Sequence, residues 1–226
     1  MSRFEGFGPD VQMWFEGLEA NNSKDYFAAG RDFYEESIRD QMAALLGELS
    51  EKFGGEVKMF RQNRDIRFSP DKSPYKTNTY GVLYGAGVAA HGLYASISAR
   101  GLVAGSGYHA MARDQLDRYR EAVAGDEHGA ELSKLIVKAE KAGLELWGES
   151  LATTPRGYRK DHPRIMLLRR KRLTLGSMVG FGARIGRADG LRFVTKTWRA
   201  AAPVTAWLDE YVGPTTLPVQ RRPSRR

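Results

Sequence analysis

Five cations and two carboxylates crowd into one short stretch of the chain: Arg61, Arg64, Asp65, Arg67, Asp71, Lys72 and Lys76, with Tyr75 and the hydroxyls of Ser69 and Ser73 among them. A guanidinium presents a rigid fork that grips a carboxylate or phosphate through paired hydrogen bonds, and a lysine adds a compact point charge. If Asp65–Ser69 runs as a strand, then Asp65, Arg67 and Ser69 line one face about 6.6 Å apart, with Ile66 and Phe68 on the other. The run that follows, Ser69-Pro70-Asp71-Lys72-Ser73-Pro74, is a turn former in which Asp71 and Ser73 can accept from nearby backbone amides. Such turns present N–H groups to an anion. The same residues serve equally as an internally paired salt-bridge lattice, and the residue types leave both readings open.

A second polar cluster lies between Pro155 and Pro163: Arg156, Arg159, Lys160, Asp161 and His162, with Arg164 just beyond. A histidine here could act as acid or base near neutral pH. Adjacent side chains rarely face one another, so Asp161 need not orient His162, and a loop-bonding role for the imidazole is the simpler expectation. The run Arg169-Arg170-Lys171-Arg172 reads as a solvated face.

Other chemistries find no support. Gly85-Ala86-Gly87-Val88-Ala89-Ala90 matches a loose dinucleotide fingerprint, but that motif works only where it opens a helix, and Gly92-Leu93-Tyr94 reads as a strand. The histidines at 91, 109, 128 and 162 have no partner at a metal-ligand spacing. The chain has no cysteine, which excludes disulfides, thiolate zinc sites and thiol nucleophiles together. No cofactor is expected.

The elements that must position these clusters follow from periodicity. A helix starts at Pro9-Asp10 and stops at Asn21-Asn22, where asparagine tolerates the left-handed conformation. Ser23 can cap a second helix whose apolar positions Phe33, Ile38, Met42, Leu45, Leu49 and Phe53 keep helical spacing up to Gly54-Gly55. Strands are predicted at Val57–Phe60, Asp65–Ser69, Tyr80–Tyr84, Leu93–Ser98 and Gly101–Ala104, and their short connections imply antiparallel pairing. Helices follow at Met111–Val123, Glu127–Ala142 and Leu191–Val212, the last interrupted by Pro203. Helices, then strands, then helices predict an α+β fold, a mainly antiparallel sheet with N-terminal and C-terminal helices packed against it.

The 226 residues, 42% hydrophobic and 27% charged, suffice for a packed core. We expect one domain over 1–212 and a basic, disordered tail over 213–226. Arg221, Arg222, Arg225 and Arg226 in that tail carry half of the net charge of +8, so basicity alone is weak support for nucleic-acid binding. Thr77–Ala99 lacks charged residues, yet its glycines and polar side chains read as buried strands and not as a membrane span. With no signal-like N-terminus, a cytoplasmic location and no membrane partner are expected.

The run Phe60-Arg61-x-Asn63-Arg64-Asp65-x-Arg67-Phe68-Ser69-x-Asp71-Lys72-x-Pro74-Tyr75-Lys76-Thr77 resembles the signature of the domain of unknown function 2461 family. So do Asn21-Asn22 before Phe27 and Pro155-Arg156-Gly157-Tyr158 before Asp161-His162-Pro163. The resemblance runs from about Phe7 to Val212, with Tyr26 where a tryptophan is expected. It implies a compact α+β domain, mainly bacterial, with no established activity, substrate or cofactor.

Three functions remain. The first is a small phosphorylated or carboxylated ligand in a basic cleft shared by Arg61, Arg64, Asp65, Arg67, Asp71, Lys72, Tyr75, Lys76, Arg156, Asp161 and His162. The second is a nucleic-acid-binding module. The third is a structural or partner-binding protein in which the first cluster is a lattice.

Overall fold

The computed structural model describes residues 3–67, 69–85, 92–182 and 185–218. In chain order the elements are β1 (Gly6–Phe7), α1 (Pro9–Ala20), α2 (Lys24–Ala29), α3 (Arg31–Phe33), a π-helical turn (Tyr34–Arg39), α4 (Asp40–Phe53), β2 (Glu56–Met59), β3 (Asn78–Tyr84), β4 (Gly92–Ser98), β5 (Gly101–Tyr108), α5 (Arg113–Ala124), α6 (Asp126–Lys141), β6 (Glu145–Trp147), α7 (Ile165–Leu168), β7 (Leu173–Val179), β8 (Ile185–Gly186) and α8 (Arg187–Tyr211). Six strands form an antiparallel sheet in the order β2-β3-β4-β5-β7-β6, and β1 pairs with β8 apart from it. The fold is α+β.

Local chemistry explains most boundaries. Pro9 supplies the fixed φ of a first helical turn. Ser23 caps α2 by accepting from the Tyr26 amide. Asn21 does not stop α1 in the left-handed region; its φ is −137°. The expected helix from Ser23 to Phe53 is broken at Gly30 and widened into a π-turn at Tyr34–Arg39. The expected strand over Asp65–Ser69 is absent: Asp65 and Ile66 have no regular structure and Arg67 is a turn residue, while Phe68 lies outside the described residues. The strands β6 and β7 fall where no strand was expected.

Alternation along the strands divides the sheet into two faces. Thr79, Leu83, Ala95, Ile97, Leu102 and Ala104 point to one side, where they meet Phe15, Leu45, Leu46 and Trp198 of α1, α4 and α8. Leu173 and Leu175 continue that side into a second cluster with Tyr119, Leu132, Val204 and Leu208. Each fully buried leucine of this kind contributes about 1.5–3 kcal/mol. The register therefore turns Lys58, Tyr80, Tyr84, Tyr94, Val103, Met178 and Trp147 to the opposite side. Among the described residues no helix packs there.

The uncharged stretch Thr77–Ala99 supplies β3 and β4, apart from residues 86–91, which lie outside the described residues together with the fingerprint-like Ala86–Ala90 and His91. Among the described residues no helix is long and apolar enough to cross a membrane.

Candidate functional site

The loop from β2 to β3 is closed by a short continuation of the β2–β3 ladder. The Phe60 amide donates to Tyr80 O, Lys76 N to Gln62 O (2.9 Å), and Arg64 N to Pro74 O (2.8 Å), with a bridge between Asn63 and Tyr75. Two amide side chains fasten this base to the helices. Asn22 imitates a strand partner for Tyr75, donating from Nδ2 to its carbonyl and accepting its N–H, both at 3.0 Å. Gln62 is buried; its Nε2 donates to Lys76 O, and its Oε1 accepts from the hydroxyls of Tyr34 (3.1 Å) and Thr79 (3.0 Å). Burial holds the Tyr34 phenol above its ordinary pKa, so it remains a neutral donor. Below, the Tyr75 ring stacks on Phe27 at 4.2 Å, and Phe27 meets Tyr34 and Trp14.

The tip of the loop satisfies most of its own charge. Arg64 bonds both Asp71 and the Ser73 hydroxyl (2.6 Å to the latter), and the Ser73 amide and hydroxyl both donate to Asp71. The Ser73 hydroxyl, then Arg64, hold the Asp71 carboxyl well below its usual range. Arg67 forks onto Asp65, with Nε to Oδ1 at 2.8 Å and Nη2 to Oδ2 at 2.6 Å, and this bond holds Asp65 low too. That pair is local, two residues apart and largely exposed. It arises from a turn, not from the strand face expected. Lys72 donates to Ile66 O (3.0 Å) and Lys76 to Arg61 O.

Charge left over gathers beside the open face of the sheet. Among the described residues Arg61, Lys76 and Lys58 have no carboxylate at ion-pair distance. The Lys76 ammonium stands 5.1 Å from the centroid of the Tyr80 ring, and Lys58 stands 5.5 Å from Phe60 and 5.8 Å from Tyr84. Phe60 and Tyr80 stack on each other at 4.7 Å. Partial burial, and secondly the Arg61 charge, lower the pKa of Lys76. Lys58, Phe60 and Tyr80 were not among the expected site residues. Their signal was present in the alternation of Val57–Phe60 and Tyr80–Tyr84, which places them on one face once the strands pair.

The second cluster does not join the first. Arg159 forks onto Asp161 (2.9 and 2.7 Å), which holds that carboxyl low, and Arg156 is exposed. His162 Nδ1 accepts from the Arg164 amide at 3.0 Å, a loop bond. Arg164 reaches the end of α5, donating to Val123 O (2.7 Å) and Ala124 O (2.9 Å) over the face of Gly129, where a Cβ would meet its side chain. The supposed solvated run is also engaged: Arg169 donates to Leu151 O and Ala152 O, Arg170 to Gly148 O, and Lys171 and Arg172 bond Glu149. The loop that carries these residues leaves edge strand β6 at the Tyr108–Leu173 end of the sheet. The β2–β3 loop leaves the other edge at the opposite end, where Asn78 pairs with Ser98. Five strand spacings alone separate the edges by about 24 Å. The two clusters therefore leave the sheet at opposite corners.

These features define an α+β protein with a helix-backed sheet, one open aromatic face and a self-bonded polar loop at its corner. The family model described as conserved hypothetical protein (DUF2461) matches residues 11–207, and the chain belongs to this family. No curated protein matches the chain.

Proposed function

We propose that the protein binds an anionic ligand at the corner of the sheet where Arg61, Lys76 and Lys58 border Phe60 and Tyr80. The observation that carries this reading is the pairing of Arg61 with Lys76. The Lys76 ammonium is bonded to the Arg61 carbonyl and stands 5.1 Å from the Tyr80 ring centroid, and among the described residues no carboxylate lies at ion-pair distance from either cation. Burial first, and the Arg61 charge second, lower the Lys76 pKa. A bound phosphate or carboxylate would relieve that repulsion. Arg64 and Arg67 are committed to Asp71 and Asp65, so they shape the loop and do not receive the ligand.

Titration with inorganic pyrophosphate, followed by calorimetry and by amide chemical shifts, tests this reading. Hydrogen bonds from a charged donor are worth about 1.5–3 kcal/mol, so Lys76→Gln and Arg61→Gln should each weaken binding at least tenfold. Arg67→Gln should leave it nearly unchanged. Equal affinity in the wild type and both corner variants would refute the proposal.

A further inference from the structure

We infer that the open face of the sheet is a track for single-stranded nucleic acid, with phosphates at the basic rim and bases on the aromatic face. The inference rests on the anion reading of the Arg61–Lys76 corner and gives that anion a chemical identity. Three features of the face combine. Its rim at the Asn78–Ser98 end carries Arg61 and Lys76, and the turn from β4 to β5 adds the exposed Arg100, also without a carboxylate at ion-pair distance among the described residues. Immediately inside the rim, Tyr80 and Tyr94 lie 5.7 Å apart as ring neighbours. Further across, Gly105 and Gly176 face each other on β5 and β7 and carry the Trp147 ring.

The glycine pair has a reason besides backbone conformation, because neither has a positive φ. A Cβ at Gly176 would lie 2.0 Å from the six-membered ring of Trp147, and one at Gly105 would lie 3.1 Å from it. The missing side chains let the indole of an edge strand rest on the sheet, its N–H held by Glu145 at 3.1 Å. The face thus offers aromatic surface at Tyr80–Tyr94 and, about one strand further across, at Trp147, whose ring lies over Gly105, the cross-strand partner of Tyr94.

Base stacking on aromatic side chains needs no sequence, and cations along one side track the backbone. Cations along one rim beside aromatic rings match a phosphate backbone with its bases, and a single small anion would leave the Trp147 station empty. Duplex is disfavoured because its bases are already stacked on one another. Glu56 and Glu145 at the far side of the face confine the backbone to the basic rim.

The test is fluorescence anisotropy of the full chain with a 5′-labelled ten-nucleotide single strand of mixed sequence, as DNA and as RNA, and the matching ten-base-pair duplex. The single strand should bind at least tenfold tighter than the duplex. Tyr94→Leu should weaken it about five- to a hundredfold, the range of one lost stacking contact. Trp147→Leu, on an edge strand, carries the same test should Tyr94→Leu fail to fold. The log–log salt slope should become shallower by about 0.7 in Lys76→Gln and again in Arg100→Gln. Pyrophosphate binding without single-strand binding would overturn this inference and leave the anion reading intact; absence of both would overturn both. Single-strand binding with an unchanged salt slope in Lys76→Gln and Arg100→Gln and unchanged affinity in Tyr94→Leu and Trp147→Leu would trace it to the arginine tail and overturn the track. Equal affinity for duplex would overturn it as well.

Discussion

Replacing Gln62 by leucine removes the centre of the network that closes the β2–β3 loop, and its cost follows from the groups stranded. Leucine is close in size, so little cavity forms. Three polar groups lose a partner: the hydroxyls of Tyr34 and Thr79, and the carbonyl of Lys76. Thr79 is 1% exposed and Tyr34 is 4% exposed, so water cannot replace the lost bonds without opening the core. An unsatisfied buried group costs about 1–3 kcal/mol, so three that relax in part predict about 3–5 kcal/mol. At about 2–4 °C per kcal/mol for a protein of this size, the melting temperature should fall by about 6–20 °C. Urea denaturation is the assay, with the midpoint falling at unchanged slope. Tyr34→Phe alone should cost about 1 kcal/mol, and in that background Gln62→Leu should cost less than in the wild type, because one stranded hydroxyl is gone. A loss under about 1 kcal/mol for Gln62→Leu, or strict additivity with Tyr34→Phe, would refute the claim that this side chain organises the loop.

Four further outcomes follow from the same geometry. Asn22→Ala removes both bonds to the Tyr75 backbone and should cost about 2 kcal/mol, with faster hydrogen exchange of the Tyr75 amide in particular. Gly176→Ala places a methyl group where the Trp147 ring lies and should move tryptophan emission to longer wavelength as the indole is driven into solvent. Asp71 has a folded pKa below its ordinary 3.8, so its stabilising contribution is present above about pH 4 and fades as the pH falls further. Urea titrations from pH 5 to pH 2 should show a shallower loss of stability in Asp71→Asn. Anion binding should weaken as pH rises through the lowered pKa of Lys76, short of the 10.5 of an ordinary lysine, and the ligand should raise that pKa in an ammonium titration followed by NMR.

Where local chemistry decides structure, the sequence was legible. Ser23 is a cap in both readings, Gly54 ends α4, and period-two alternation located β3, β4 and β5. The strand over Asp65–Ser69 failed because Ile66 and Phe68 alternate by chance in a loop whose base is set elsewhere, by Gln62 and Asn22 reaching distant backbone. Long-range hydrogen bonds leave no periodic trace. Neither does the π-turn at Tyr34, which brings that hydroxyl to Gln62. β7 was missed because Leu173–Val179 follows a dense basic run, whose arginines turn out to tie the β6–β7 loop to carbonyls of residues 148–152. The candidate site was half legible. Its loop, Lys76 included, was found from residue types, but Lys58 and the rings of Phe60 and Tyr80 come from the neighbouring ladder, and only the pairing register brings them together.

The two polar clusters lie at opposite corners, yet they do the same work. At one corner Gln62, Asn22 and Arg64 bind an irregular loop to itself and to the helices. At the other, Arg164 and Arg169 donate to carbonyls that no helix or strand would satisfy. Buried or half-buried irregular backbone must find such partners, since an unpaired carbonyl away from water costs as much as a lost hydrogen bond. At the second corner single guanidinium groups reach several carbonyls at once, while at the first Asn22, Gln62, Lys72 and Lys76 meet the carbonyls and Arg64 bonds side chains of the loop. Most of the polar residues of the two clusters are thus accounted for by loop closure, and what remains is small and specific. Among the described residues Arg61, Lys72 and Lys76 of the first cluster have no carboxylate at ion-pair distance; Lys72 is bonded to the Ile66 carbonyl at the loop tip, which leaves Arg61 and Lys76. They stand where the loop meets the open aromatic face, and a search for function should begin with them.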